Sequence, residues 1–199
     1  MIIKTIKLLS FDELTEKQKK KVIEKNRTIN TTDFNFNYWE FEIIEKDIKP
    51  YFQYDGFKYS LSHSQGDGAR IEIYAINEKA INLIYDEKTK ENKLLKKLFN
   101  DGEFIINYDL NSFATYYVHY NTFDLSYEYY GSKDFNETLI SKFTQQLEEY
   151  LKDKSRELEK ILYENLENIK NLESDASVEE TLKINEDLFN EETLEIESP

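Results

Sequence analysis

The spacing of apolar positions changes repeatedly along the chain, and each change predicts a new element. Residues 2–9 (IIKTIKLL) form a β-branched run that reads as a first strand. Phe11, Leu14, Val22 and Ile29 then recur at helical intervals among Lys and Glu. The preceding Ser10-Phe11-Asp12-Glu13 has capping-box spacing, so an amphipathic helix is expected over about residues 11–29. After the polar stretch TINTTDFN, Asp33 or Asn37 is placed to cap a second helix with the stripe Tyr38, Phe41, Ile44 or Glu45, and Ile48. Pro50 ends it, because the residue before a proline is driven out of the helical region. Trp39 and Ile43 lie beside that stripe and are expected in the core.

After Gly56 the period falls to two. Phe57, Tyr59, Leu61 and His63 alternate on one face, and Ile71, Ile73 and Ala75 do so beyond Gly66 and Gly68, which predicts a hairpin connected through Ser64–Ala69. Residues 78–99 return to a helical but broken pattern around the charged run DEKTKENK, a candidate loop. Asn100-Asp101-Gly102 signals a turn, and EFIINYDL, ATYYVHY and FDLSYEYY read as three strands. From Phe135 to Leu172 the helical period is sustained without Gly or Pro. A helix of about 35 residues would be roughly 52 Å long. Beyond Lys154 it is expected to project from its domain or pair with another helix, unless it breaks near Lys152–Ser155 and folds back. The expected fold class is α+β: two N-terminal helices on a mostly antiparallel sheet of about five strands, with a long C-terminal helix. The corresponding organisation is a core over 1–134, an amphipathic helix over 135–172 and an acidic tail over 173–199.

Charge changes this picture most at the C-terminus. The chain has 199 residues and a net charge of −14, and residues 173–199 carry ten acids against the single base Lys183. Such a balance repels phosphate backbones, so no direct nucleic-acid binding is expected. The acids either solvate a tail or imitate nucleic acid toward a basic protein groove. Leu182, Ile184, Leu188, Phe189, Leu194 and Ile196 lie among them, which suits a short amphipathic partner for the long helix or an arm that orders on binding. The candidate partner-binding residues are Leu158, Ile161, Leu162 and Ile169 on the helix, and Glu179, Glu180, Glu186, Asp187, Glu191 and Glu192 in the tail. The helical stripe also permits a homodimer. No apolar run is long enough to span a bilayer and the N-terminus does not read as a signal peptide, so no membrane partner and a cytoplasmic location in a host cell are expected.

The absence of cysteine excludes disulfides, thiolate nucleophiles and Cys-based zinc sites. No phosphate-binding glycine loop or nucleophile elbow is present, and no cofactor is implied. The chemistry that remains gathers at SHSQGDGA, residues 62–69. Two glycines about an aspartate suit a tight turn. The sharper alternative brings His63, Ser64, Gln65, Asp67 and His119 to one sheet edge as a pocket for a small ligand or a metal, or as a proton-transfer site. No catalytic residue and no metal set is assigned.

The order SFDELTEKQKKKVIEKNR, NYWEF, GFKYSLSHSQGDGARI and YYVHYNTFDLSYEY resembles a family of small, poorly characterised phage and prophage proteins over about residues 8–130. Members open with a Ser-Phe-Asp-Glu-Leu helix and carry a Ser-Gln-Gly-Asp-Gly-Ala turn and a later Tyr-x-His segment. Ser64, Gln65, Gly66, Asp67, Gly68, Ala69 and His119 match as motif positions. Tyr38 stands where the second aromatic is usual, and Tyr120-Asn121 where an acid is. The resemblance implies a phage-borne protein, sometimes labelled antitoxin-like. With the acidic charge, it points to a non-enzymatic inhibitor of a host nucleic-acid-handling defence complex such as a CRISPR effector. The alternatives are a ligand- or metal-binding protein or enzyme at the SQGDGA/His119 edge, and an antitoxin that caps a toxin.

Overall fold

The computed structural model describes residues 7–32, 41–61 and 66–197. In chain order its strands and α-helices are β1 (Leu8–Ser10), α1 (Glu16–Lys25), β2 (Phe52–Ser60), β3 (Gly68–Ile76), α2 (Ile81–Ile84), α3 (Lys90–Asn100), β4 (Phe104–Leu110), β5 (Phe123–Tyr129), α4 (Asp134–Leu172), α5 (Asp175–Ile184), β6 (Leu188–Asn190) and β7 (Ile196–Glu197). The chain divides into a terminal unit, Met1–Asn37 with Glu164–Pro199, and a central unit, Tyr38–Tyr163.

In the terminal unit the Ser10–Glu13 capping box forms, with the Ser10 amide donating to Glu13 Oε2 at 2.8 Å. It opens only a 3-10 turn, Phe11–Glu13. A second box, Thr15 with Gln18, starts α1, which ends at Lys25 rather than near residue 29. The helix ends at the C-cap Asn26, whose side-chain amide donates to the Val22 carbonyl at 2.9 Å, and its buried face is Val22 and Ile23. The surface that covers this face comes from the acidic segment. Leu9, Phe11, Leu14, Val22 and Ile23 share one core with Val178, Leu182, Phe189 and Leu194. Phe11 meets Phe189 edge-on at 6.3 Å, and β6 is the middle strand of an antiparallel β1-β6-β7 sheet. The charges match as well: Arg27 bonds Asp175 at 2.5 Å and the Glu173 carbonyl at 2.9 Å, Lys183 lies between Asp12 and Glu179, and Lys7 pairs with Glu191 at 3.0 Å. Exposed pairs of this kind are screened by solvent and contribute little, so the shared apolar core holds the unit together.

In the central unit β2 and β3 form an antiparallel hairpin from Phe52↔Ile76 to Ser60↔Gly68, with irregular register at Tyr54–Gly56. A second hairpin, β4–β5, runs from Phe104↔Tyr129 to Leu110↔Phe123. Leu139, Ile140, Phe143, Leu147, Leu151, Leu158 and Leu162 line the buried stripe of α4. Ser155 Oγ, on that stripe, accepts from the Ile71 amide of β3 at 3.2 Å. The π-helical turn Ile44–Ile48 is tied to the same helix, since Tyr150 donates to the Asp47 carbonyl and Lys154 pairs with the Asp47 carboxylate at 2.7 Å.

Mixed helix and strand, antiparallel pairing and the long C-terminal helix agree with the sequence-based expectation. The sheet differs: among the described residues seven short strands form three small sheets instead of one sheet of about five. ATYYVHY is not a strand. Asn111 captures the backbone on both sides of it, accepting from the Phe113 amide at 3.1 Å and donating to the Asn121 carbonyl at 2.8 Å, so the segment closes on itself as a loop with two 3-10 turns. Residues 78–99 split where Asp86 accepts from the Lys88 amide and Thr89 caps α3. The helix from residue 134 continues unbroken through Lys152–Ser155 to Leu172. The described residues of 173–197 share a core with the N-terminal segment, within the first of the two units. Tyr38 and Trp39 lie outside the described residues.

Candidate functional site

The Gly66–Ala69 turn is shaped by what packs against it. Gly66 has φ +90°, and a Cβ there would lie 1.9 Å from Tyr117 Cδ1. Gly68 has φ +151°, and its Cβ would meet Glu159 Oε2 at 2.7 Å and His119 Cβ at 3.0 Å. Both positions therefore require glycine, for backbone conformation and for close approach. The Gly66 carbonyl accepts from the Val118 amide at 3.1 Å, and Asp67 accepts from Ser60 Oγ at 2.7 Å. These contacts seat the 116–122 segment on the turn.

His119 lies beside this turn, on a loop and not in the strand expected over ATYYVHY. Its Nδ1 accepts from the Asn121 amide at 3.1 Å, so the neutral ring carries its proton on Nε2. Burial lowers its pKa below the usual 6.5, and the charge of Arg70 lowers it further. Arg70 was not among the sequence candidates, although it is 2% exposed. It pairs with Glu72 at 2.7 Å and donates to Thr122 Oγ1 at 2.7 Å, and Thr122 Oγ1 in turn donates to the His119 carbonyl at 2.6 Å. This chain of polar contacts satisfies the buried guanidinium and fixes the backbone at His119.

Glu159 of α4 was also missed, and its carboxyl faces Gly68. Burial raises its pKa above the usual 4.5, the Asp67 carboxylate adds to the rise, and the Ala69 amide and Arg156 oppose it. Glu159 Oε2 is buried without a hydrogen-bond partner. Nothing in the helical period of the long helix separates Glu159 from the solvated acids around it. Among the described residues no three His, Asp or Glu side chains assemble into a metal-binding group. His63, Ser64 and Gln65 fall outside the described residues, so the pocket expected at that edge is represented by Asp67 and His119 alone.

The partner-binding candidates separate into two groups. Leu158 and Leu162 are fully buried within the chain and so do not form an open stripe, and Ser155, just past Lys154, is bonded to β3. Ile161 and Ile169 are half-buried. In the terminal unit Glu180, Glu186, Glu191 and Glu192 are exposed, while Glu179 is partly covered and bound to Lys183. Asp187 is half-buried, with Oδ2 unpartnered. Glu186 holds φ +55°, in the left-handed region just after α5. These acids are carried by folded elements, not by an arm.

The sequence reading also missed an apolar surface. Leu110, Phe113 and Tyr116, in and beside the loop that it took for a strand, are 50%, 60% and 81% exposed. Aromatic enrichment had suggested a pleated, half-buried segment there, and the paired asparagines that close the loop were the available contrary signal. No family model, curated protein or solved structure matches the chain. No helix among the described residues is long and apolar enough to cross a membrane.

Proposed function

We propose that this chain is a phage-borne, non-enzymatic binding protein that inhibits a host nucleic-acid-handling defence complex, of the CRISPR-effector kind, by occupying a basic protein surface. The observation that carries this reading is the placement of the acids on ordered elements. Glu180, Glu186 and Glu191 stand on or beside α5 and β6, and Asp109, Asp124 and Glu128 stand on the outward face of β4–β5. A carboxylate fixed on a folded surface presents its charge at a defined spacing, as a phosphate backbone does, whereas a solvating arm does not. The sequence resemblance supports the phage origin.

Saturating full-length protein, added to a panel of purified RNA-guided CRISPR nucleases loaded with guide RNA, is expected to suppress target cleavage by at least one of them. Unchanged cleavage by every member would sink the reading for that class of target.

One observation favours a second reading, in which a small ligand or cation binds the turn. Glu159 Oε2 is buried and unpartnered beside Gly68 and His119, an arrangement that a bound donor would complete. Under that reading Glu159→Gln abolishes ligand-induced stabilisation in a thermal-shift screen of metals and small polar molecules. Under the first reading the variant inhibits as well as the wild type.

A further inference from the structure

The loop between β4 and β5 displays large apolar side chains from a backbone with little freedom to move. Its start is fixed by Asn111, whose amide donates to the Thr122 carbonyl and whose side chain reaches the Phe113 amide, the Asn121 carbonyl and Asp124 Oδ2. Its middle is a 3-10 turn in which the Phe113 carbonyl accepts from the Tyr116 and Tyr117 amides, both at 3.0 Å. Its far side rests on the glycine turn, with Tyr117 filling the space left by the absent Cβ of Gly66 and the Val118 amide bonded to the Gly66 carbonyl. Leu110, Phe113 and Tyr116 are left facing water. Aromatics exposed on a rigid loop fit the role of anchors, since little conformational entropy is lost when they are buried by a partner.

Charge decides which partner. Asp109 directly precedes Leu110 and stands opposite Asp124 in the β4–β5 register. Like charges directly across a strand pair weaken the pairing. Asp124 has Lys152 at 3.8 Å, but Asp109 accepts only from Ser126 Oγ, and Glu128 only from Asn107 and Tyr130, so neither meets a cation among the described residues. An incoming Lys or Arg would relieve the repulsion. The same acids disfavour an anionic membrane and a nucleic-acid backbone.

We propose that Phe113 and Tyr116, on the loop that leaves the Asp109–Asp124 end of β4–β5, form the docking surface for a basic protein, with the aromatic pair entering an apolar pocket bordered by Lys or Arg. This deepens the inhibitor reading and rests on it. The Gly66–Ala69 turn then has a structural purpose: its glycines allow Tyr117 and His119 to approach closely enough to brace the display loop.

The test measures the affinity of full-length wild type and three double or single variants for the guide-loaded nuclease panel. Phe113→Ser with Tyr116→Ser is expected to weaken binding about a hundredfold, roughly tenfold for each anchor. Asp109→Asn with Asp124→Asn is expected to weaken it about three- to tenfold and to flatten its salt dependence. Tyr74→Ser, which removes another exposed aromatic outside the loop, is expected to leave binding unchanged. Wild-type binding that survives the aromatic double variant overturns the docking surface and leaves the inhibitor reading intact. Wild type that binds no member overturns both. A concentration-dependent dimer in sedimentation, abolished by the same double variant, would assign the loop to self-association and overturn the proposal. If that variant does not fold, hydrogen exchange of the wild-type complex replaces it: slowed exchange over residues 110–117 is expected, and unchanged exchange there overturns the proposal.

Discussion

Glycine positions in the turn separate conformational strain from steric exclusion. Gly102 has φ +70° and open space where a Cβ would go, so Gly102→Ala should cost about 1–2 kcal/mol from the left-handed backbone alone. Gly66→Ala adds a collision with the Tyr117 ring, and overpacking contributes a further 1–3 kcal/mol or so. Denaturant titration should therefore find Gly66→Ala clearly the more destabilised of the two. Equal losses would show that Tyr117 yields without cost and that the turn does not brace the loop. The presence of a turn was legible from two glycines around Asp67. Its purpose was not, because the Tyr117 contact lies some fifty residues away in a segment that aromatic content made look like a strand.

His119 and Glu159 titrate with opposite effects on stability. The folded-state pKa of His119 is depressed, so its contribution is present above the unfolded value of 6.5 and is lost as pH falls through the folded value. The folded-state pKa of Glu159 is raised, so its contribution is full below 4.5 and is lost as pH rises through the folded value. Glu159→Gln should thus be more stable than the wild type near pH 8, with the difference closing as pH approaches 4.5. A difference independent of pH, measured by chemical denaturation across that range, would contradict the burial assigned to this carboxyl.

Among the elements, the acidic segment departs furthest from its sequence reading. Its charge was plain, but charge alone could not distinguish a solvated tail from the acidic half of a folded unit whose other half is the basic α1. The decisive residues are Val178, Leu182 and Phe189, fully buried against Phe11 and Val22. Phe189→Ala should cost about 3–5 kcal/mol. In hydrogen exchange the loss should appear as faster exchange in α1 and α5 together. Exchange confined to residues near 189 would mean that the two segments do not share a core. The long helix shows the opposite case: its period predicted the element to within a residue or two, yet periodicity could not show that Leu158 and Leu162 are buried within the chain.

For the whole molecule, excess negative charge resides in both units, and it disfavours a nucleic-acid ligand. Duplex DNA and single-stranded RNA should not be retarded by micromolar protein in a mobility-shift assay at physiological salt; a salt-sensitive shift would reverse the assignment of the acidic surface. The division into two units was illegible from local pattern, since it joins residues separated by most of the chain length. The most direct test of the acidic-surface account is competition on a guide-loaded nuclease of the panel that binds the protein. Excess guide RNA or target DNA should displace the bound protein, and raising the salt severalfold should weaken it sharply. A complex that holds the protein equally well with saturating nucleic acid and at high salt would contradict the account.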